Sequence, residues 1–484
     1  MKKAEAYLTV YLSLTMTVLL SLFLALFEGV RSNAIRMESE CIMDIGMDSI
    51  LAEYHRELFA QYNLFAIDSS YGGDTTGKEN VSAHLKHYLA RNMSMEDIFL
   101  ESLLYRDFLA MEPEEVDVTR VSVITDGKGA VFRAKAVEAI EHDAGLSLFT
   151  ELLNWLEVVE LNKLTETDVA LRKKQVDEAI AAYNGKEVEV KENKFVTIQI
   201  DNPTAELEKE RRKGALACVV KDMEAVSEKS IFQESLIGGR MALGKVNQGS
   251  LPHAEISGGE KLWERFLFQE YLMRYMGHYG SEKADKALDY EIEYLLSGMD
   301  NDISNLSGVV DVLTGIREAA NALYIFTDEE KCAEAEVVAL VICGLLEIPE
   351  LADLLKVSLL LAWSFAESLH DVEVLLEGGR IPLMKTTDTW YYSLANALTG
   401  FQFVSEGKDD EGLSYEDYLR ILLMLEKEDV LTARAMNLVE ANIRLTPGNQ
   451  DFRLDGCYVK VEASMQVSSK YGYHYELTRQ KEYY

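Results

Sequence analysis

The feature that most constrains this chain is its start. Ala6 to Phe27 (AYLTVYLSLTMTVLLSLFLALF) is 22 residues without a charged side chain. About 20 apolar residues in a helix cover the hydrocarbon core of a bilayer, where every backbone polar group must bond within its own segment. Lys2 and Lys3 precede the run, and Glu28, Arg31 and Arg36 follow it. A cleaved export signal has an apolar core of about 7–15 residues closing on a small-x-small site. Here the run is longer and leads into Phe27-Glu28-Gly29-Val30-Arg31, so it reads as an uncleaved transmembrane anchor. Ser39 and Glu40 deny Cys41 the small apolar context of a lipoprotein cysteine. Lys and Arg balance across the span, two on each side, and the short basic head predicts a cytoplasmic N-terminus with the body outside. Val337–Leu346 and Val357–Ala366 are apolar runs of half the required length and read as buried core helices.

Helical periodicity continues past the membrane. Val30, Ala34, Met37, Cys41, Ile45, Leu51, Tyr54, Leu58 and Tyr62 recur at steps of three and four, with Arg36, Glu38, Glu40, Asp44, Glu53, Arg56 and Glu57 between them. Residues 6–62 are therefore expected to form one rod, with Gly29 and Gly46 as its weak points and Gly46 as a possible hinge. The chain divides into a cytoplasmic head (1–5), a transmembrane helix (6–27), an amphipathic extension (28–67) and an extracytoplasmic body (68–484). The bilayer is the expected partner of residues 6–27, and self-association is an option along residues 28–62.

Charge bears on partners. With 82 acidic against 48 basic side chains, a net charge of −34 opposes binding to nucleic acid or to anionic lipid through a basic surface. Only six prolines interrupt 484 residues, which favours long helices. A polar stretch, Asp68–Ser82, ends the rod, and helical pattern resumes through His84–Met111. Val116–Ile124 reads as a strand, with turn chemistry at Asp126-Gly127-Lys128-Gly129. Helices are expected near 130–160 and 165–184, a strand or hairpin over Glu187–Ile200, a charged helix over Thr204–Lys229 and a glycine-rich loop over Gly238–Gly259. From Glu260 to Ala397 the pattern is nearly all helical; 400–412 is a loop and Tyr415–Arg444 one amphipathic helix. The tail changes period. Cys457, Val459, Val461, Ala463, Met465 and Val467 alternate with polar neighbours, Lys470-Tyr471-Gly472 turns the chain, and Tyr471, Tyr473, Tyr475 and Leu477 continue on a returning strand. The fold class is α+β, predominantly helical, with a small antiparallel sheet that includes the C-terminal hairpin.

No motif carries a reaction. Gly239-Arg240-Met241-Ala242-Leu243-Gly244-Lys245-Val246 fits a G-x-x-x-x-G-K phosphate loop except that Val246 stands where Ser or Thr binds Mg²⁺, and Ser227–Ile237 makes a poor buried strand before it. It reads as a glycine-rich surface loop. His84 and His87 share a helix face but lack a third ligand, and His278 and His370 lack a neighbouring nucleophile. The five cysteines, at 41, 218, 332, 343 and 457, form no C-x-x-C pair, and Cys343 reads as core. Glu367 and Asp371, beside Trp363 and His370, and Glu291 and Glu293 in Tyr290–Tyr294 read as solvated carboxylates of helix faces. Met299–Asn305 (MDNDISN) offers oxygens for a weak divalent site but has Asn305 where an EF-hand loop needs glycine. Catalytic, cofactor-binding and metal residues are all assigned as none.

Several stretches are similar to a family of single-pass envelope proteins of Gram-positive bacteria associated with tight-adherence (Tad, or Flp) pilus loci. They are Tyr11–Leu14, Glu28–Arg31, Asp48–Leu58 (DSILAEYHREL), Tyr62–Asp68 (YNLFAID), Tyr290–Gly298 (YEIEYLLSG), Ile316–Asn321 (IREAAN), Ala362–Val374 (AWSFAESLHDVEV), Pro382–Trp390 (PLMKTTDTW) and Tyr415–Leu423 (YEDYLRILL). The resemblance implies a layout like that of the TadE/TadG pseudopilins and supplies no catalytic residue. The chain departs from processed pilins at Lys2-Lys3-Ala4-Glu5, where prepilin peptidase would need a glycine before the apolar run. The expected function is thus a permanently anchored, non-enzymatic accessory or pseudopilin-like component of a Tad-type pilus or secretion apparatus, partnered by its proteins. The alternative is a membrane-tethered hydrolase or ligand-binding protein.

Overall fold

The computed structural model describes residues 2–93, 109–141, 145–164, 168–191, 194–197, 199, 202, 214–252, 261–345, 351–399 and 412–483. Two compact units emerge. One comprises Met1–Ala139, Gly239–Glu255 and Ile443–Tyr484; the other comprises Ile140–Gly238 and Ile256–Asn442.

The first unit is organised by α1, a single helix of 50 residues from Lys2 to Leu51, about 75 Å long at 1.5 Å per residue. Its apolar half is long and apolar enough to cross a membrane, and none of that stretch is buried. Three of its hydroxyls bond within the helix: Thr15 donates to the Tyr11 carbonyl, Thr17 to Ser13 and Ser21 to Val18. In the second half Ile35, Ser39, Ile42, Met43, Met47 and Ile50 are buried, a stripe at the 3.6-residue period. The helix runs straight through Gly46. A Cβ there would sit 2.7 Å from Leu89 Cδ2, so this glycine permits close approach of α3 (Lys78–Met93) and is no hinge. The expected rod to residue 62 is shorter than predicted. It stops at Leu51, Tyr54 bridges to Ile67, and a separate α2 (Arg56–Tyr62) begins under a cap in which His55 Nδ1 accepts from the Leu58 amide.

α3 presents Val81, Leu85, Leu89 and Met93 at four-residue steps. With the inner stripe of α1 it packs on a sheet built from β1 (Ile67–Asp68), β2 (Met111–Val123), β5 (Cys457–Ser469) and β6 (His474–Glu482), all pairs antiparallel. β5 is central: β2 pairs with it along its length, β6 returns beside it, and β1 meets its first two residues. Its alternation is as expected, with Cys457, Val459, Val461, Ala463, Met465 and Val467 all buried. After β2 the chain makes an unusual turn, with Gly127, Lys128 and Gly129 all at positive φ, before the rest of α4 (Asp126–Glu138). The Asp126 carboxylate holds this turn by accepting from the Val123 and Gly249 amides.

The second unit is mainly helical. It contains α5 (Leu146–Leu161), α6 (Asp168–Tyr183), the short α7 (Ala215–Val219), α8 (Ile237–Ala242), α9 (Lys261–Tyr275), α10 (Glu291–Ser297), α11 (Asp302–Ile325), α12 (Glu329–Leu345), α13 (Ala352–Leu376), α14 (Leu394–Thr399), α15 (Tyr415–Leu425) and α16 (Glu428–Arg444), of which α8 and α16 run on past the unit's edge. A two-stranded hairpin, β3 (Glu187–Lys191) with β4 (Lys194–Thr197), sits between α6 and α7. Its longest helices, α11 and α13, are buried over most of their length, which explains why Val357–Ala366 is apolar on all sides. Four expectations change. The apolar run from Val337 is core on one side only: Ala335, Ala339 and Cys343 are buried, whereas Val337, Leu340, Val341 and Leu345 are exposed. The 130–160 helix is two helices, Tyr415–Arg444 breaks at Glu426–Lys427, and the described part of Thr204–Lys229 is helical only over Ala215–Val219 with a 3₁₀ turn at Met223–Ala225. Residues 400–411 and 204–213 lie outside the described residues.

Candidate functional site

Two places concentrate chemistry: the seam between α1 and β6, and a buried ionic cluster in the second unit. At the seam, alternate residues of the last strand and its flanks reach one side of α1. The Arg31 guanidinium lies 3.7 Å from the ring centroid of Tyr471. The Tyr473 hydroxyl donates to Glu28, and Tyr475 shares a hydrogen bond of 2.8 Å with Ser32. Arg479 Nε pairs with Asp44 at 3.1 Å, Lys481 Nζ with Asp48 at 2.5 Å, and the Tyr483 hydroxyl donates to the Leu51 carbonyl. The two-residue period of the tail thus supplies a row of tyrosines and cations that fastens α1 from Glu28 to Leu51. The tyrosine alternation was visible in the sequence; its partner was not.

The ionic cluster lies between α11, α13, α15 and the segment 381–392. Arg317 Nε donates to Asp371 Oδ2 at 2.9 Å, while Nη1 donates to the carbonyls of Pro382 and Leu383 and to the Tyr418 hydroxyl. Lys385 Nζ pairs with Asp371 at 2.6 Å and with Glu367, whose carboxylate also accepts from the Tyr391 and Tyr392 amides. Asn321 Nδ2 donates to Asp371 Oδ2 at 2.9 Å. Two cations meet two anions, and none of the four side chains is more than 1 % exposed. Burial alone would raise the Asp371 carboxyl, but Lys385 and Arg317 outweigh it and hold the group below the ordinary carboxylate range. The expectation of solvated carboxylates at Glu367 and Asp371 is therefore corrected. They are keystones, because a charge enters a helical core only when paired and fully hydrogen-bonded. Sequence reasoning missed Arg317 and Lys385. The available signal was that Arg317 falls on the apolar stripe Leu306, Val310, Leu313 and Ala320 of its helical pattern.

Glu291 and Glu293, expected as solvated carboxylates, are also fully buried. Both fasten the chain entering α10. Glu291 accepts from the Gly277 amide and from Asn442 Nδ2. Glu293 Oε1 accepts from the Tyr279 amide and the Tyr415 hydroxyl, while Oε2 has no partner. That arrangement suits a neutral carboxylic acid, and burial pushes the Glu293 group up to about 7 against these two donors.

The remaining motifs have structural roles. Gly239–Ala242 belongs to the short α8, preceded by a 3₁₀ turn at Gln233–Ser235 and not by a strand; Arg240 pairs with buried Asp455 at 2.7 Å. His84 stacks on Tyr71 and pairs with Glu53 at 3.1 Å, whereas His87 is exposed. In Met299–Asn305, Asn301 caps α11, Asn305 bonds both polar groups of Met299, and Asp302 accepts from Ser227, Asp289 and Tyr290. No disulfide joins any of the five cysteines; Cys343 and Cys457 are buried and Cys41 is exposed. Among the described residues no group of three or more His, Cys, Asp and Glu side chains is placed to hold a metal ion. A depression of about 190 Å³ between α10, α11 and α15, lined by Leu296, Val309, Val312, Ile316, Leu422 and Leu425, falls below the size of ordinary ligand pockets.

The fold and these sites define a class: an α+β protein, mostly helical, that carries one membrane-capable N-terminal helix locked to a small antiparallel sheet. Within that class, a family model described as a family of unknown function, DUF5702, matches residues 193–469, and the chain belongs to this family. No curated protein and no solved structure matches it.

Proposed function

We propose that this chain is a membrane-anchored, non-enzymatic component of the cell envelope, with its N-terminus cytoplasmic and residues 68–484 outside, and that it serves as an accessory part of a Tad-type pilus or secretion assembly. The observation that carries the anchor is the continuity of α1. The helix that leaves the apolar run is the same helix that β6 grips from Glu28 onward, so the apolar segment is a built extension of a folded unit. The assignment to a pilus assembly comes from the sequence resemblance over the N-terminal and helical motifs.

The test uses the tagged full chain in native membranes. Intact mass should show residues 6–27 retained after alkaline carbonate washing; an N-terminus beyond Phe27 would refute the anchor. A C-terminal alkaline phosphatase fusion should be active, and an inactive one would refute the orientation. Crosslinking and recovery should return pilus or platform proteins, and their absence would refute the assembly role.

A further inference from the structure

We infer that the face of α1 opposite the core is a docking seam for α1 of a second copy of this chain, the two helices lying parallel and in register. This rests on the reading of α1 as a membrane anchor. Phe23, Phe27, Val30, Ala34, Met37 and Cys41 follow one another at steps of four, three, four, three and four, the 3.5-residue repeat of a two-stranded coiled coil. Phe23, Val30 and Met37 are 72 %, 68 % and 65 % exposed, and Cys41 is exposed as well. The positions diametrically opposed in this repeat are 32, 39 and 46. They are the ones the first unit uses: Ser32 bonds Tyr475, Ser39 is fully buried, and Gly46 lies under Leu89. A second helix can therefore approach over Val30 to Cys41, with Tyr471 beside the flanking Arg31 and Arg479 beside the flanking Glu40.

Lipid covers the first two seam residues but not the rest. Arg31, Arg36, Glu38 and Glu40 share the turns of Val30 to Cys41 and hold that segment in water, where an exposed apolar stripe calls for a protein partner. A second copy suits it for two reasons. Anchoring in one bilayer sets the direction and height of both helices, so each seam residue meets its own counterpart. The flanking positions then bring Leu26 to Arg31, Asn33 to Glu38 and Glu40 to Ile45 of the other copy, with no like charges opposed. The repeat also has an end. Its next two positions are Asp44 and Asp48, which would face their own like charges, and each is held instead by Arg479 or Lys481 of its own hairpin.

The test is crosslinking in membranes of cells expressing the full chain with Cys218 and Cys332 replaced by serine. A short bis-maleimide should give a homodimer through Cys41 that Cys41→Ser abolishes. In the Cys41→Ser background, Met37→Cys should restore it and Arg36→Cys, on the flank, should give at least tenfold less. Met37→Asp should reduce the Cys41 adduct severalfold while the chain stays in the carbonate-resistant pellet. Equal yields at positions 36 and 37, an adduct with a different polypeptide, or no adduct at all would overturn the seam with the anchor intact. Release of the chain by carbonate would show instead that the anchor itself fails, and the in-register argument with it.

Discussion

Replacing Asp371 by leucine is the most telling perturbation of the second unit. The carboxylate stands between Arg317 and Lys385, both cut off from solvent. Its removal leaves two buried cations facing one anion, Glu367. Breaking a buried pair by deleting one partner costs about 3–5 kcal/mol, or roughly two to three and a half powers of ten in an equilibrium. Arg317→Met should cost about the same, because it strands Asp371 with one cation and leaves the Pro382 and Leu383 carbonyls without their donor. The double variant R317M/D371L behaves differently: Lys385 and Glu367 remain as a neutral pair. The loss should shrink to about 2–4 kcal/mol, mostly from those carbonyls at about 1–3 kcal/mol for each orphaned group. The coupling is then about 2 kcal/mol or more, centred on about 5 kcal/mol. Hydrogen exchange by peptides of α11 and α13 in the full chain in detergent is the appropriate assay, since two compact units make a single unfolding free energy ill-defined. Single-variant losses that add within about 0.5 kcal/mol would refute the claim that charge pairing holds these elements together. The pH dependence has a definite sign. Asp371 is held below its ordinary value, so its contribution is complete above about pH 5 and is lost only as pH falls below about 4 toward the depressed folded value.

Glu293 should behave in the opposite sense. Its folded value of about 7 lies above the ordinary 4.5, so its contribution is present at low pH and is lost as pH rises through 7, by about 3 kcal/mol at most. Hydrogen exchange in peptides of α10 and α15 at pH 5 and pH 8, each corrected for the intrinsic rate, should show this loss, and Glu293→Gln, which keeps an acceptor for Tyr279 and Tyr415, should flatten it. Gly46→Val should push α3 off α1, because even a Cβ there comes within 2.7 Å of Leu89; a loss of about 1–3 kcal/mol should appear as faster exchange in Lys78–Met93. Deletion of residues 6–27 should move the chain from the carbonate-resistant pellet to the soluble fraction, with exchange in Cys457–Ser469 unchanged.

Much of the candidate chemistry was illegible before folding for a simple reason. The helical period says that two carboxylates four residues apart share a face, but not whether that face meets water or an arginine 54 positions away. Glu367 and Asp371 illustrate this, and so do Glu291 and Glu293, whose donors come from the turn at Gly277–Tyr279 and from helices far along the chain. The absence of charge from Ala6 to Phe27 needed no such help, because a bilayer is a uniform solvent and composition alone decides fitness for it. The alternation in the C-terminal hairpin was equally plain, since a strand has only two faces.

Local pattern therefore determined the membrane-capable helix, the mainly helical α+β class and the hairpin. Tertiary structure decided which side of α1 is inside. Beyond its apolar half that helix carries two apolar stripes, and the periodic reading picks out Val30–Met37–Cys41, whereas the buried one is Ile35–Ile42–Met43–Ile50. Packing of α3 and the tyrosine-lined β6 selects the second and leaves the first exposed, because burial belongs to a pair of surfaces and a sequence segment displays only one of them.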